Sequence, residues 1–111
     1  MSATMKSLYR EQSETQSIWL FRETFAATGL TPNGANTVPF PSPLPTVPRR
    51  VFFTAVGNGA VGALASLDTS QGAADPSGSL AGGKLGVDVT NVYLFVGNNA
   101  QVLVTVEYSQ S

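Results

Sequence analysis

Histidine and cysteine are absent from this chain, and charge is scarce: six basic and seven acidic residues in 111 leave a formal net charge of −1. Most enzymes move protons or electrons with His, Cys or clustered carboxylates and lysines. Those tools are missing or scattered here, which points away from an enzyme and toward a structural or binding module. Without Cys there is no disulfide framework and no thiolate metal site. The charge balance offers no basic field for phosphate, so nucleic acid is not an expected partner. No apolar run approaches the ~18 residues that would span a membrane. The polar stretch Met1–Ser17 lacks the apolar core of a secretory signal.

What remains is Gly, Pro, Thr, Asn and β-branched residues, a composition suited to making surfaces. At this length a single domain is expected, burying roughly 65% of the surface its unfolded chain exposes. A nearly neutral surface suits a subunit that lives in contact with others.

Three stretches differ in character. Met1–Ser17 is rich in Ser, Thr, Gln and Glu, and Leu8 is its only large aliphatic residue after Met5. It reads as an N-terminal arm or short frayed helix, either disordered or ordered on a neighbouring subunit. Residues 18–111 read as a single all-β domain, an antiparallel β-sandwich. Ile18–Phe25 is its first strand, with Trp19, Phe21 and Phe25 on one face and Ile18, Leu20 and Arg22 on the other. Ala26–Pro48 is dominated by turn formers. Within it, Val38–Pro48 carries five prolines in eleven residues. Proline fixes φ and removes an N–H, so an extended ribbon is expected. Its apolar spacers Val38, Phe40, Leu44 and Val47 suggest that it lies along a surface, its own sheet or a neighbour's.

The third stretch, Arg49–Ser111, is patterned for strands at Val51–Val56, Ala60–Leu67, Val87–Val96 and Gln101–Tyr108. Gly57-Asn58-Gly59 and Gly97-Asn98-Asn99-Ala100 read as hairpin turns. Asp68–Gly86 reads as a long loop. Apolar residues on both faces of Val92–Val96 imply a central strand covered on both sides.

Candidate chemistry is thin. Gly78-Ser79-Leu80-Ala81-Gly82-Gly83-Lys84-Leu85 approaches the phosphate-cradling pattern G-x-x-x-x-G-K-S/T. Leu85 replaces the Mg²⁺-binding hydroxyl, and a strand rather than a helix follows, so a flexible loop is the better reading. Asp68, Asp75 and Asp88 match no calcium loop and read as turn and edge carboxylates. Glu11, Glu14 and Glu23 have no scaffold to fix a hydrolytic pair. No catalytic residue, cofactor or metal is therefore assigned. Trp19, Tyr93 and Tyr108 suit either a sugar-stacking platform or core packing. Arg49-Arg50 suits either a bidentate grip on a partner's carboxylate or a solvated strand end.

The arm Met1–Ser17, the ribbon Val38–Pro48 and the turns at Gly57-Asn58-Gly59 and Gly97-Asn98-Asn99, on a small Cys-free, His-free β domain, resemble the decoration or cement proteins of tailed-phage capsids. The pattern is most similar to the small staple-like decoration proteins of the epsilon-fifteen-type short-tailed phages. It covers the whole chain as a pattern and rests on no diagnostic signature. The resemblance implies a jelly-roll-like sandwich, although about six strands are expected here and not eight. It also implies a homodimer seated on major capsid protein at the outer surface of the virion, stabilising the shell without catalytic residues. Leu8, Phe40, Leu44, Arg49 and Arg50 are the expected partner-binding residues. The alternative is a carbohydrate-binding or host-adhesion sandwich.

Overall fold

The computed structural model describes residues 3–13, 20–56, 61–63, 86–98 and 101–109. They form seven strands and no helix: β1 Thr4–Ser13, β2 Leu20–Thr28, β3 Gly34–Pro39, β4 Arg50–Val56, β5 Val61–Ala63, β6 Asn91–Val96 and β7 Gln101–Ser109. One antiparallel sheet has four strands in the order β1-β2-β7-β4, and the other has three in the order β3-β6-β5. The expected all-β, antiparallel class is what the chain adopts.

Alternation explains the core. On β7, Val102, Val104 and Val106 are fully buried while Gln101, Leu103 and Thr105 between them are only partly covered. Phe21, Phe25 and Ala27 of β2 and Val51 and Phe53 of β4 share that inner face. Opposite them, Val38 of β3 and Val92, Leu94 and Val96 of β6 are also fully buried. Removing each such side chain from water contributes about 1.5–3 kcal/mol. As expected, β6 is central in its sheet.

Four expectations are corrected. Residues 4–13 are not a frayed helix or loose arm but a strand paired with β2 from Thr4↔Thr28 to Ser13↔Leu20. The stretch looks unstructured because β1 is an edge strand: of its described side chains only Met5 enters the core, with Ala3 just before it, so the other positions tolerate polar residues. Gly34–Pro39, hidden among turn residues, is a strand on the edge beside β6. Edges are where a proline without an N–H is accepted. The two short turns do not make hairpins. β4 pairs β7 while β5 pairs β6, so the strands on either side of 57–60, and those on either side of 97–100, lie in different sheets. Gly and Asn permit a reversal; they do not decide whether the next strand lies beside or opposite. Finally, Val87–Val96 is not continuous. Val87 bridges back to Val92 around a tight reversal at Asp88–Thr90. Of the expected Ala60–Leu67 strand, 61–63 is strand, and 60 and 64–67 lie outside the described residues.

The proline-rich segment lies on the chain's own core. The Phe40 N–H donates to the Thr90 carbonyl at 2.9 Å and the Leu44 N–H to the Val89 carbonyl at 2.9 Å. The Thr46 hydroxyl donates to the Ser109 carbonyl at 2.8 Å. Phe40, Leu44 and Pro48 are buried, and the Phe40 ring sits 5.2 Å from that of Phe25. Asn36 of β3 is buried and reaches back to the turn before the strand. Its Oδ1 accepts the Thr31 N–H at 2.8 Å, and its Nδ2 donates to the carbonyls of Thr31 and Gly34. That clasp holds Asn33 in the left-handed region, at φ 55°.

Candidate functional site

The antiparallel register assembles the outer face of the four-stranded sheet from residues far apart in sequence. Paired residues point to the same side of a sheet. Glu11 of β1 opposes Arg22 of β2, Arg22 opposes Glu107 of β7, and Glu107 opposes Arg50 of β4. One row therefore crosses all four strands with charges alternating minus, plus, minus, plus. The next row is Tyr9, Thr24, Thr105 and Phe52, and the one after it Lys6, Ala26, Leu103 and Thr54.

The ladder is tightly bonded at its centre. Arg22 donates to Glu107 Oε2 from Nε at 2.9 Å and from Nη2 at 2.7 Å. Arg50 Nε donates to Glu107 Oε1 at 2.8 Å. The Glu107 side chain is 8% exposed while Arg22 and Arg50 are 52% and 62% exposed, so the carboxylate is the desolvated partner. Burial pushes the Glu107 carboxyl up, but the hydrogen bonds and charges of Arg22 and Arg50 outweigh it and hold the group below its usual range. The same hydrogen bond and charge make the Arg22 guanidinium harder still to deprotonate. Glu11 reaches Arg22 at 3.5 Å, and a shallow groove of about 290 Å³ runs past Glu11, Gln12, Leu20, Arg22 and Glu107.

Beside the ladder the face is apolar and open. A β-bulge lies between Ser7 and Tyr9, so Leu8 and Tyr9 together oppose Thr24. Leu8 is 54% exposed, Tyr9 57% and Phe52 36%. The Thr24 and Thr105 hydroxyls bond one another at 3.0 Å in the trough between them. Arg50 stacks over Phe52 at 5.2 Å.

Of the expected partner-binding residues, Leu8 stands exposed on this face. Arg50 is bonded to its own chain's Glu107, and the neighbouring Arg49 N–H donates to the Glu107 carbonyl at 2.7 Å. Phe40 and Leu44 belong to the core, because the segment that carries them folds back over Phe25 and the 88–91 reversal, so they are not offered to a partner. Tyr93 and Tyr108 of the expected aromatic platform do not share a face. Tyr108 is buried on the inner face of the four-stranded sheet, Tyr93 belongs to the three-stranded sheet, and Trp19 lies outside the described residues.

Asp88 holds its own reversal together. Asp88 Oδ1 accepts the N–H groups of Thr90 and Asn91 and the Thr90 hydroxyl, and Oδ2 accepts the Tyr93 hydroxyl at 2.7 Å. Burial raises the Asp88 carboxyl, yet these bonds hold it below its usual range; the shared proton and burial push Tyr93 up. Asp68, Asp75, Glu14 and Gly78–Leu85 lie outside the described residues. Glu11 and Glu23 fall on opposite faces of the sheet, so they do not converge on one substrate. Glu23 accepts hydrogen bonds from Ser7 and Tyr108 at the rim of a second cavity, about 370 Å³, roofed by Pro41–Pro45. Burial, then the bond to Glu23, raises the Tyr108 hydroxyl. Among the described residues no group of His, Cys, Asp or Glu could hold a metal ion.

Arg22, Glu107, Tyr9 and Phe52 carry the face, and sequence reading alone passed over them. Their signal is a polar or aromatic residue on the solvent side of an otherwise alternating strand, which acquires meaning only in register with its neighbours. Comparison with family models, curated proteins and solved structures finds no match to this chain.

Proposed function

We propose that the chain is a non-enzymatic structural protein of a virus particle, decorating and stapling major capsid protein subunits at the outer surface of the shell. The observation that carries this reading is the outer face of the four-stranded sheet. The four charges of its ladder are bonded to one another, and large apolar side chains stand exposed beside them. Such a face is equipped for contact and not for turnover. The nested pairing of β2 with β7 and β3 with β6 supports the jelly-roll-like form that the resemblance to phage decoration proteins implies. Repetition over a shell lets modest contacts add up through avidity.

The test is co-sedimentation with shells assembled from purified major capsid protein. Stoichiometric binding is expected, weakened in a Leu8→Ser, Tyr9→Ser, Phe52→Ser variant that keeps its β circular dichroism. A folded parent that never sediments with shells sinks the proposal. One observation favours the alternative of a carbohydrate-binding module: the cavity beneath Pro41–Pro45 presents Ser7, Arg10, Glu23 and Tyr108 together. A glycan-array signal lost on Glu23→Gln, with no shell binding, would establish that reading instead.

A further inference from the structure

We infer that the outer face of the four-stranded sheet packs against the same face of a second copy, about a two-fold axis lying in the interface, parallel to the strands and midway between β2 and β7. The inference rests on reading that face as the contact surface, and it names the occupant.

Rotation about such an axis keeps each row at its own height and reverses the strand order across it. Strand β1 then lies over β4 of the second copy, and β2 over β7. The ladder Glu11, Arg22, Glu107, Arg50 is antisymmetric about its midpoint. Reversal therefore sets Glu11 over Arg50 of the second copy and Arg22 over Glu107 of the second copy, every charge facing its opposite. A two-fold interface must be self-complementary in this sense, and like charges juxtaposed would block it.

The next rows obey the same operation. Tyr9 meets Phe52 of the second copy on each flank, giving two symmetry-related aromatic contacts beside the small Thr24 and Thr105. In the third row Ala26 lies beneath Leu103 of the second copy, small against large. Sheets packed face to face in this way stand about 10 Å apart with their strands within roughly 30°. Pairing through the free edge of β1 is disfavoured by the devices that edge carries: the bulge at Leu8, Lys6, and Arg10 on the inward side. A dimer joined by the sheet face presents two copies of the exposed Val47 of the proline-rich segment to the shell, so the Leu8, Tyr9, Phe52 variant weakens shell binding by losing that avidity.

The absence of cysteine makes the test direct. Lys6 and Thr54 end the third row on β1 and β4, three strand spacings or roughly 14 Å apart in one chain, but face one another across the proposed interface. In Lys6→Cys/Thr54→Cys protein, a bis-maleimide too short to span one chain should give covalent dimer. A mixture of the two single variants should do the same, and neither single variant alone should. The purified full chain should sediment as a monomer–dimer equilibrium, and Tyr9→Ser/Phe52→Ser should weaken it roughly a hundredfold with unchanged circular dichroism. A parent that is monomeric at all concentrations overturns the inference, as does cross-linking of Lys6→Cys alone, which would place β1 against β1. A monomer that still binds shells leaves the proposed function standing without this dimer; a dimer that ignores shells does the reverse.

Discussion

The two faces of the four-stranded sheet are built from the same strands but are specified differently. The inner face is mostly apolar across β2, β4 and β7, with Phe25, Val51, Phe53, Val102, Val104 and Val106 all nearly or fully buried and Glu23 at its rim. Away from Glu23, a slip of two residues between neighbouring strands keeps such a face apolar. The outer face does not tolerate that slip. Its row of alternating charges and the Thr24–Thr105 hydroxyl pair are satisfied in one register. Hydrophobic burial thus decides that the strands come together, and the ladder decides how they align.

The largest expected effect tests the inner face. Phe25→Ala removes a ring that is 2% exposed and packed on Phe40, and should cost about 4 kcal/mol. In a thermal melt that is a fall of roughly 15–30 °C. A fall of only a few degrees would show that the inner face is not the main source of stability.

The outer face comes next. Glu107 is held by two arginines, so Arg22→Ala or Arg50→Ala alone leaves the carboxylate one partner. The double variant strands a desolvated charge and should cost more than the two single losses together. Urea titration of the three variants supplies the coupling. Additive losses would mean that the ladder acts as independent surface pairs, each worth under about 1 kcal/mol.

Acid sharpens the contrast further with a smaller effect. The native Glu107 carboxylate holds off its proton to a lower pH than the unfolded one. Between those two values the unfolded chain binds more protons, so its stability falls as pH drops through the native value and is fully present above the unfolded one, about 4.3. Asp88 adds to the same slope. Glu107→Gln should be less stable at pH 7 yet show a flatter decline as pH falls below about 4.3. An unchanged slope would mean that the ladder does not stabilise the charged form.

The fold class was legible because alternation is a local property: Val102, Val104 and Val106 announce β7 with no knowledge of its neighbours. The missing pieces were of two kinds. β1 and β3 are edge strands, where polar residues and Pro39 are tolerated, so neither carries the apolar signature of a strand. The candidate site depends on register. Arg22 and Glu107 are 85 residues apart in sequence, and neither hints at the other until β2 lies against β7. The short turns misled for a related reason, since the sheet each strand joins is settled by its long-range partner. Leu8 could be singled out early because a lone large aliphatic residue in a polar stretch stands out by itself.

Strand β7, the last described strand in the chain, fills the slot between β2 and β4. During synthesis those two strands are made long before the neighbour that separates them. Until β7 arrives each has an open side, and the shortest route to closing it is the wrong one, β2 pairing directly with β4. The native sheet is thus assembled by insertion and not by addition at an edge. Contacts of such long sequence separation slow folding to milliseconds or longer, and the waiting edges are open to other nascent chains. The chain's order of synthesis and its order in space run against each other at β7, and again at β6, which fills the slot between β3 and β5, so folding yield should depend on how quickly these two late strands become available.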